Sequence, residues 1–300
     1  MITRRALVTG LSAALASWLL PGARSAHAAP QPADPQPAEA LARAFAEIEG
    51  HVGGRLGVAV LDTGSGLSAD LRGDERFPLC STFKWLAAAA LLSRVDAGTE
   101  SLGRPIGIRA QDIVTYSPAT EKHVGGTMTL GEICAAAITL SDNTAGNLML
   151  GALGGPEAVT AYARSLGDQT TRLDRTEPTL NDVPPGDPRD TTTPLCMLGD
   201  LQAVLVGEAL SEASRAQLIA WLLANTTGET RLRAGLPSTW RVGDKTGTCN
   251  ANTANDVGIV WPPDRAPILI AAYLAETTAS REAQNAALAD VGRAVATAIG

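Results

Sequence analysis

Hydrophobic and polar residues follow two different periods along the chain, and the period changes from one part to the next. Arg55–Asp62 carries apolar residues at every second position, which is typical of a half-buried strand, and Gly66–Leu71 completes a hairpin. Residues 81–223 then show mainly helical spacing. The predicted helices of this central part are Ser81–Val95, Leu130–Ile138, Thr144–Leu150, Pro156–Leu166, Leu195–Val206 and Ser211–Asn225.

Strand patterns return after the helical part. They cover Arg241–Thr248, Asp256–Trp261 and Pro267–Ala275, while helical patterns at Glu39–Glu49 and Ser280–Ile299 begin and end the chain. Strands at both ends with helices between them predict an α+β fold, in which an antiparallel sheet formed from both termini is flanked by helices. We therefore expect a discontinuous α/β domain of residues 29–72 and 224–300, with an all-α domain of residues 73–223 inserted.

Residues 1–28 have the pattern of a signal peptide. Arg4 and Arg5 precede an apolar stretch from Ala6 to Leu20, and Ala26–Ala28 fits a cleavage site. The arginine pair is equally compatible with the Sec and the twin-arginine routes. We expect an exported protein, periplasmic or secreted. Since no later apolar run reaches spanning length, no membrane association is expected after the leader is removed.

The net charge and the number of histidines argue against several classes of function. The chain has 24 basic and 31 acidic residues; the leader holds three arginines and no acid, so the mature net charge is −10 with histidine neutral. This charge argues against nucleic-acid partners. Two histidines follow the leader: His51, expected in a Gly-rich turn after a helix, and His123, expected in a polar loop. Neither a zinc centre nor a Ser-His-Asp triad is therefore favoured. We expect no metal and no organic cofactor, and a monomer.

Lysine is rare in this sequence, with three lysines against 21 arginines. Lys84 lies one helical turn after Ser81, which places hydroxyl and amine on one face of a helix. A desolvated lysine can lose its proton at working pH and an arginine cannot. The pair therefore indicates a nucleophile beside a base. Two further motifs follow in order, Ser141-Asp142-Asn143 and Lys245-Thr246-Gly247.

The three motifs together are far from random. With this composition their joint chance is about 1 in 10,000. S-x-x-K, S-D-N and K-T-G form the signature of class A β-lactamases and penicillin-binding proteins. The chain resembles a class A serine β-lactamase over nearly its whole mature length. The resemblance implies a β-lactamase/transpeptidase-like fold and a small β-lactam substrate.

The resemblance also assigns a role to each motif residue. Ser81 would be the nucleophile, and its backbone N–H and that of Thr248 would form the oxyanion hole. Ser141 would pass a proton to the departing nitrogen, and Asn143 would contact the substrate's side-chain amide. The remaining implied groups are the aromatic wall Tyr116, the buried Lys84, and a carboxylate-binding set of Lys245, Thr246, Gly247, Thr248 and Arg231.

The segment from Glu177 to Asn181 distinguishes an enzyme that hydrolyses its acylated serine from a protein that stays acylated. An acylated serine persists unless a water is held and deprotonated beside the ester. In the family that this chain resembles, an E-x-x-x-N segment does this, so Glu177 would be the base and Asn181 the second clamp on the water. The resemblance also implies a cis Glu177–Pro178 bond and a loop closed by Arg175 and Asp190. Whether Lys84 or Glu177 takes the proton during acylation stays open.

Four cysteines allow three fully paired connectivities. Cys80 precedes Ser81 and Cys249 follows Thr248, and a bridge between them would match the carbapenem-hydrolysing branch of class A. Thr248 and Arg231 match that branch too, so the resemblance extends to carbapenem hydrolysis. Cys134 and Cys196 are expected to be free residues of the core.

Two other readings of the motifs remain. A penicillin-binding D-alanyl-D-alanine peptidase would share all three motifs and release penicillin slowly, and the Glu177–Asn181 segment argues against it. A penicillin sensor would stay acylated without turnover, and the lack of an apolar span after the leader argues against it.

Overall fold

Both ends of the folded chain contribute to one antiparallel sheet in the computed structural model, which describes residues 35–184, 186–250 and 252–300. The strands are β1 (Arg55–Asp62), β2 (Ser68–Leu71), β3 (Phe77–Pro78), β4 (Pro105–Gly107), β5 (Thr127–Thr129), β6 (Thr191–Thr192), β7 (Arg241–Gly247), β8 (Ala254–Trp261) and β9 (Ile268–Ala275). Five of them form a sheet in the order β2-β1-β9-β8-β7, so β7 is an edge strand. β3 pairs with β6 and β4 with β5 as short ribbons.

Helices fill the middle of the chain and also begin and end it. They are α1 (Pro35–Val52), α2 (Phe83–Asp96), α3 (Leu130–Thr139), α4 (Asn143–Leu153), α5 (Glu157–Ser165), α6 (Pro194–Leu205), α7 (Glu212–Leu223), α8 (Leu232–Gly235) and α9 (Arg281–Ile299). Single 3₁₀ turns lie at Cys80–Thr82, Ala110–Asp112, Thr120–His123 and Thr179–Asn181.

The sheet separates two hydrophobic cores, because successive residues of a strand point to opposite faces. In β9, Leu269, Ala271 and Tyr273 join the core shared with the central helices. Ile270 and Leu274 of the same strand join the core under the two terminal helices, α1 and α9. The sheet is therefore covered on both faces, and its edge strand β7 lies next to the 3₁₀ turn at the start of α2.

Local capping places the helices that carry the motifs. Asp142 caps α4, with Oδ1 accepting from the backbone N–H of Ala145 at 2.8 Å. Its other oxygen accepts from the backbone N–H groups of Ala119 and Thr120 at 2.9 and 3.0 Å. Asp142 thus ties the preceding loop to the start of α4 and leaves its neighbours Ser141 and Asn143 to the site.

The α+β class and the sheet built from both ends are confirmed. Two local expectations were wrong. α1 continues to Val52 and so includes His51, and Ser81 lies in a 3₁₀ turn before α2 instead of in the helix. The sequence analysis did not predict α8 or the two short ribbons. The described residues from 35 onwards are not subdivided into smaller compact units, so the two-domain boundaries stay a prediction. The signal peptide lies outside the described residues, and within them no helix is long and apolar enough to cross a membrane.

Candidate active site

A cavity of about 400 Å³ lies where the start of α2, the connection from α3 to α4, and the end of edge strand β7 meet. A larger groove of about 690 Å³ between α1 and α9 has mainly aliphatic walls and none of the motif residues. The smaller cavity gathers the side chains that the sequence singled out. Its lining residues are Ser81, Tyr116, Ser141, Asn143, Asn181, Thr227, Arg231, Thr246 and Thr248.

Ser81 projects from the 3₁₀ turn that leads into α2. The turn begins at Cys80, whose φ of 45° lies in the left-handed region. The Ser81 hydroxyl accepts a hydrogen bond from Lys84 Nζ at 2.9 Å and donates to Glu177 Oε1 at 3.2 Å. The hydroxyl therefore contacts both groups that could remove its proton.

Lys84 is completely buried and its ammonium group lies at the centre of the site. Nζ donates to the Ser141 carbonyl at 2.8 Å and to Asn143 Oδ1 at 2.7 Å, in addition to Ser81. Glu177 Oε1 lies 3.0 Å away as its ion-pair partner. Burial lowers the pKa of Lys84, and the negative charge of Glu177 opposes that shift. The amine of Lys84 thus loses its proton more readily than that of an exposed lysine.

Glu177 reaches the cavity from a loop that we call the Glu177 loop (residues 175–190). Asn147 of α4 accepts from the backbone N–H of Glu177 and donates to its carbonyl, both at 2.8 Å. The peptide bond to Pro178 is cis, as expected. The carboxylate is 2 % exposed, and its Oε2 accepts from Asn181 Nδ2 at 2.6 Å. One carboxylate oxygen of Glu177 is thus bonded to Asn181 and the other to Ser81.

The neck of the Glu177 loop is closed by the ion pair that the sequence suggested. Arg175 Nε lies 2.6 Å from Asp190 Oδ2. Asp190 Oδ1 accepts from the backbone N–H groups of Asp174 and Arg175 at 2.7 and 2.9 Å. Because Asp190 is fully buried, these bonds hold the loop closed without competition from solvent.

Ser141 and Lys245 form the opposite wall. Ser141 has a φ of 58°, and its hydroxyl accepts from Lys245 Nζ at 3.0 Å. Lys245 is buried, and Nζ also donates to the carbonyl of Thr246 at 2.8 Å. Burial, followed by the positive charge of Lys84, lowers the pKa of Lys245 well below its ordinary value. Ser141 therefore contacts both lysine-bearing segments, through its carbonyl and its hydroxyl.

Arg231 lies behind the end of β7. Nη1 donates to the carbonyls of Gly247 and Asn255 at 2.8 and 2.7 Å, and Nη2 donates to Thr248 Oγ1 at 2.7 Å. Burial lowers the pKa of this guanidinium, and the negative charge of Asp256 opposes the shift. The neighbouring Arg233 pairs with Asp244 instead. Arg231 is thus the arginine that lines the cavity.

A disulfide joins the two cysteines next to the motifs. Cys80 and Cys249 are bonded with their Cα atoms 5.5 Å apart. The sulfur of Cys249 lies 3.3 Å from Asn181 Oδ1, so the bridge touches the residue that holds Glu177. Cys134 and Cys196 are free, as expected, the first buried and the second half-buried.

Three residues near the site were missed by sequence analysis. Thr227 lines the cavity with its hydroxyl 2.5 Å from that of Thr246. Asn147 holds the backbone of Glu177, and Asn285 of α9 accepts from Arg231 Nε at 2.9 Å. None of them belongs to a recognisable local motif. In the part of the chain that the structure describes, no group of three or more His, Cys, Asp or Glu could hold a metal ion.

A serine hydroxyl between a buried lysine and a buried carboxylate is the arrangement expected of a serine hydrolase. The chain belongs to the β-lactamase enzyme family, whose model matches residues 39–299. It is 49 % identical over 251 residues to the β-lactamase CTX-M-8 of Citrobacter amalonaticus, covering 84 % of this chain and 86 % of that one. It is 53 % identical over 256 residues to the β-lactamase AST-1 of Nocardia asteroides, covering 85 % and 83 %.

Solved structures agree with this family assignment. A reconstructed ancestral class A β-lactamase (GNCA) matches with a TM-score of 0.85 and 60 % sequence identity, covering 86 % of this chain and 100 % of that one. The protein is a class A serine β-lactamase, an enzyme that hydrolyses β-lactams.

Proposed function

We propose that the enzyme opens the ring of penicillins and cephalosporins through an acyl-enzyme on Ser81, which a Glu177-activated water then hydrolyses. The observation that carries this proposal is the position of the Glu177 carboxylate, with Oε1 3.2 Å from Ser81 Oγ and Oε2 bonded to Asn181. A buried carboxylate beside the nucleophile supplies the general base that the ester needs.

Acylation uses the groups that already contact the Ser81 hydroxyl. Lys84 Nζ and Glu177 Oε1 both lie within proton-transfer distance of it, and either one can serve as the base. The oxyanion that forms would be held by the backbone N–H groups of Ser81 and Thr248, where one donor is worth about 10²–10³ in rate. Ser141, bonded to Lys245, would protonate the departing lactam nitrogen.

Deacylation repeats the attack with water as the nucleophile. A water bound to Glu177 and Asn181 would lie beside Ser81, because Glu177 Oε1 is 3.2 Å from the Ser81 hydroxyl and Oε2 accepts from Asn181. Glu177 would take its proton as the hydroxide adds to the ester. Lys84, paired with Glu177 at 3.0 Å, orients that carboxylate.

Substrate binding would divide between two walls. Lys245, Thr246, Thr248 and Arg231 supply cationic and hydroxyl groups for the substrate carboxylate. Gly247 lets β7 pack against the 3₁₀ turn, since a Cβ there would lie 2.9 Å from the Leu79 carbonyl.

The opposite wall would take the substrate side chain. Asn143 donates one N–H to the Thr115 carbonyl at 2.9 Å and has its second for an amide oxygen of the substrate. Tyr116, 59 % exposed and with a φ of 66°, provides an aromatic surface at the mouth of the cavity.

Continuous hydrolysis of a chromogenic cephalosporin tests this function. We expect many turnovers per enzyme molecule, because Glu177 can remove the acyl group. A single burst equal to the enzyme concentration, followed by a flat trace, would instead support the penicillin-binding peptidase or the non-turnover sensor.

We also propose that carbapenems are substrates and that the disulfide contributes to their turnover. The bridge joins Cys80, next to the nucleophile, to Cys249, next to Thr248. The sulfur of Cys249 also contacts Asn181. Removal of the bridge would therefore loosen both oxyanion donors and the clamp on the hydrolytic water.

In Cys80→Ser, we expect turnover of imipenem to fall at least about tenfold while benzylpenicillin turnover falls less, since a loss of about 1.4 kcal/mol at the site corresponds to tenfold. The assay is run where both proteins are folded, because opening so long a loop costs up to about 5 kcal/mol. Cys196→Ser, which alters a free cysteine, is the matched control. An unchanged ratio of imipenem to benzylpenicillin turnover contradicts the role of the bridge.

Cellular location and organisation complete the proposal. The leader pattern of residues 1–28 supports export to the periplasm or the medium. We propose a monomer that acts on small β-lactams with no nucleic-acid partner, no membrane attachment after the leader is removed, and no cofactor. The two cores on opposite faces of the sheet support the division into a discontinuous α/β domain and an inserted helical domain.

A further inference from the structure

Two buried aspartates, one before and one after the Glu177 loop in the sequence, line the same pocket with their carboxyl groups within hydrogen-bond reach of each other. Asp168 follows α5, and Asp200 lies in α6. Asp200 is 1 % exposed, and neither of its oxygens has a hydrogen-bond partner in the described part of the chain. Asp168 Oδ2 is likewise buried without a partner there. Both residues line a pocket of about 340 Å³, together with Cys196.

The two carboxyl groups differ in what surrounds them. Asp168 Oδ1 accepts from the backbone N–H groups of Thr170 and Thr171 at 2.6 and 2.9 Å. Burial by itself would raise the pKa of Asp168, but these hydrogen bonds hold it below its ordinary value. Asp200 receives no such bonds. Burial, followed by the negative charge of Asp168, raises the pKa of Asp200 to about 9.

We propose that Asp200 keeps its proton and donates it to the Asp168 carboxylate, and that this buried acid–carboxylate hydrogen bond positions the segment that carries Glu177. One proton then satisfies Asp168 Oδ2 and the protonated oxygen of Asp200, which are otherwise orphaned. The pair acts as one titrating unit, with its first proton lost from the Asp168 side and its second retained by Asp200.

Other charged and titratable groups around the pair do not replace this bond. Arg164 of α5 lies 3.9 Å from Asp168 Oδ1, and its Nη1 donates to the carbonyls of Asp168 and Thr171 instead, both at 2.7 Å. The hydroxyls of Tyr162 and Tyr273 are buried without partners among the described residues. Asp96, whose charge acts on Tyr162, bonds to Ser211 and Ser214, and the Cys196 thiol faces Asp168.

A short series of bonds connects the pair to the loop. Asp168 fixes the turn that contains Thr171, and the Thr171 hydroxyl lies 2.6 Å from that of Thr192. Arg172 N–H then donates to the Thr191 carbonyl at 3.0 Å, just before the loop neck. α6 begins at Pro194, so Asp200 holds together the two chain segments that leave and re-enter the body of the protein at the loop. Asp200 and Asp168 are therefore positioning residues.

Asp200→Asn separates the proton from the packing, because an amide donates the same hydrogen bond without titrating. The folded enzyme keeps the Asp200 proton up to about pH 9, whereas the unfolded chain loses it near the ordinary pKa of 3.8. Wild-type stability therefore falls across this window relative to the variant. We expect the Tm difference between Asp200→Asn and wild type to widen by several degrees from pH 5 to pH 9 and then to level off.

The exposed-site variant Asp264→Asn, with the same change of charge, is the control and should give a constant Tm difference from wild type. Difference infrared spectra at pH 7 should show a protonated carboxylic acid in wild type that is lost in Asp200→Asn. The difference is needed because burial also raises the pKa of Asp256 well above its ordinary value. Parallel Tm curves, or identical spectra in the acid region, overturn the shared proton.

The positioning role of Asp200 rests on the proposed function of Glu177. It is tested by the pH dependence of kcat, separately from the stability measurements. At about pH 10 only about one-tenth of wild-type molecules keep the proton. We therefore expect kcat of Asp200→Asn relative to wild type to rise by about tenfold between pH 7 and pH 10, with acyl-enzyme accumulating in wild type at the higher pH. Lys84 and Lys245 are common to both proteins and cancel in this ratio. A ratio independent of pH overturns the positioning role, whatever the identity of the base.

Discussion

Glu177→Gln is expected to fold normally, react once with benzylpenicillin and then stop as a stable acyl-enzyme. Glutamine keeps the volume and an oxygen for Lys84, but it cannot accept the proton of the hydrolytic water. Positioned general bases contribute about 10²–10⁴ in rate, so we expect steady-state turnover to fall by that factor. Intact-protein mass spectrometry should show the mass of one added penicillin persisting after substrate is removed.

Two control variants make this result specific. Ser81→Ala should gain no mass, because it lacks the hydroxyl that forms the ester. Glu208→Gln alters an exposed glutamate with the same change of charge and should turn over at the wild-type rate. If Glu177→Gln hydrolyses penicillin as fast as wild type, another group deprotonates the water.

Lys84→Met is expected to lose both acylation and stability. The substitution leaves the buried Glu177 carboxylate without its cation, and breaking a buried ion pair from one side costs about 3–5 kcal/mol. Acylation should slow by about 10²–10⁴, since the hydroxyl of Ser81 loses its contact with the amine. Denaturant unfolding and the pre-steady-state acylation rate measure the two effects separately.

The double variant Lys84→Met/Glu177→Gln resolves the two contributions. It removes both charges, so we expect it to regain most of the lost unfolding free energy and none of the activity. Lys122→Met, at an exposed lysine, should leave both quantities unchanged. If Lys84→Met is as stable as wild type, Lys84 and Glu177 do not form an ion pair in the free enzyme.

Much of the site could be predicted because its residues fall in compact motifs. Ser81 and Lys84 are one helical turn apart, and Lys245, Thr246 and Gly247 are consecutive on a strand. Period and turn residues likewise fix most helices and strands to within a few positions, and Arg55–Asp62 agrees at both ends. Short-range spacing therefore carries both the local geometry and the choice of chemical groups.

Contacts between segments that are distant in the sequence could not be predicted from short-range spacing. Asn147 holds Glu177 through backbone groups 30 positions away, and Asn285 bonds Arg231 across 54 positions. An asparagine in an amphipathic helix has the same local pattern whether it faces solvent or a loop. The Asp168–Asp200 pair could not be predicted either. An aspartate near apolar residues has the local pattern of an ordinary surface position, and only tertiary packing buries it.

Asn147 forms two hydrogen bonds to the backbone of Glu177, one with its N–H and one with its carbonyl. These bonds fix the backbone of the proposed general base to α4, in the body of the protein, while its carboxylate is bonded to Asn181 of the same loop. Asp182, Pro184, Pro188 and Arg189 lie exposed on the outer stretch of that loop. Substitutions on this outer stretch should therefore change the surface of the loop while leaving the position of Glu177, and with it the proposed hydrolytic step, intact.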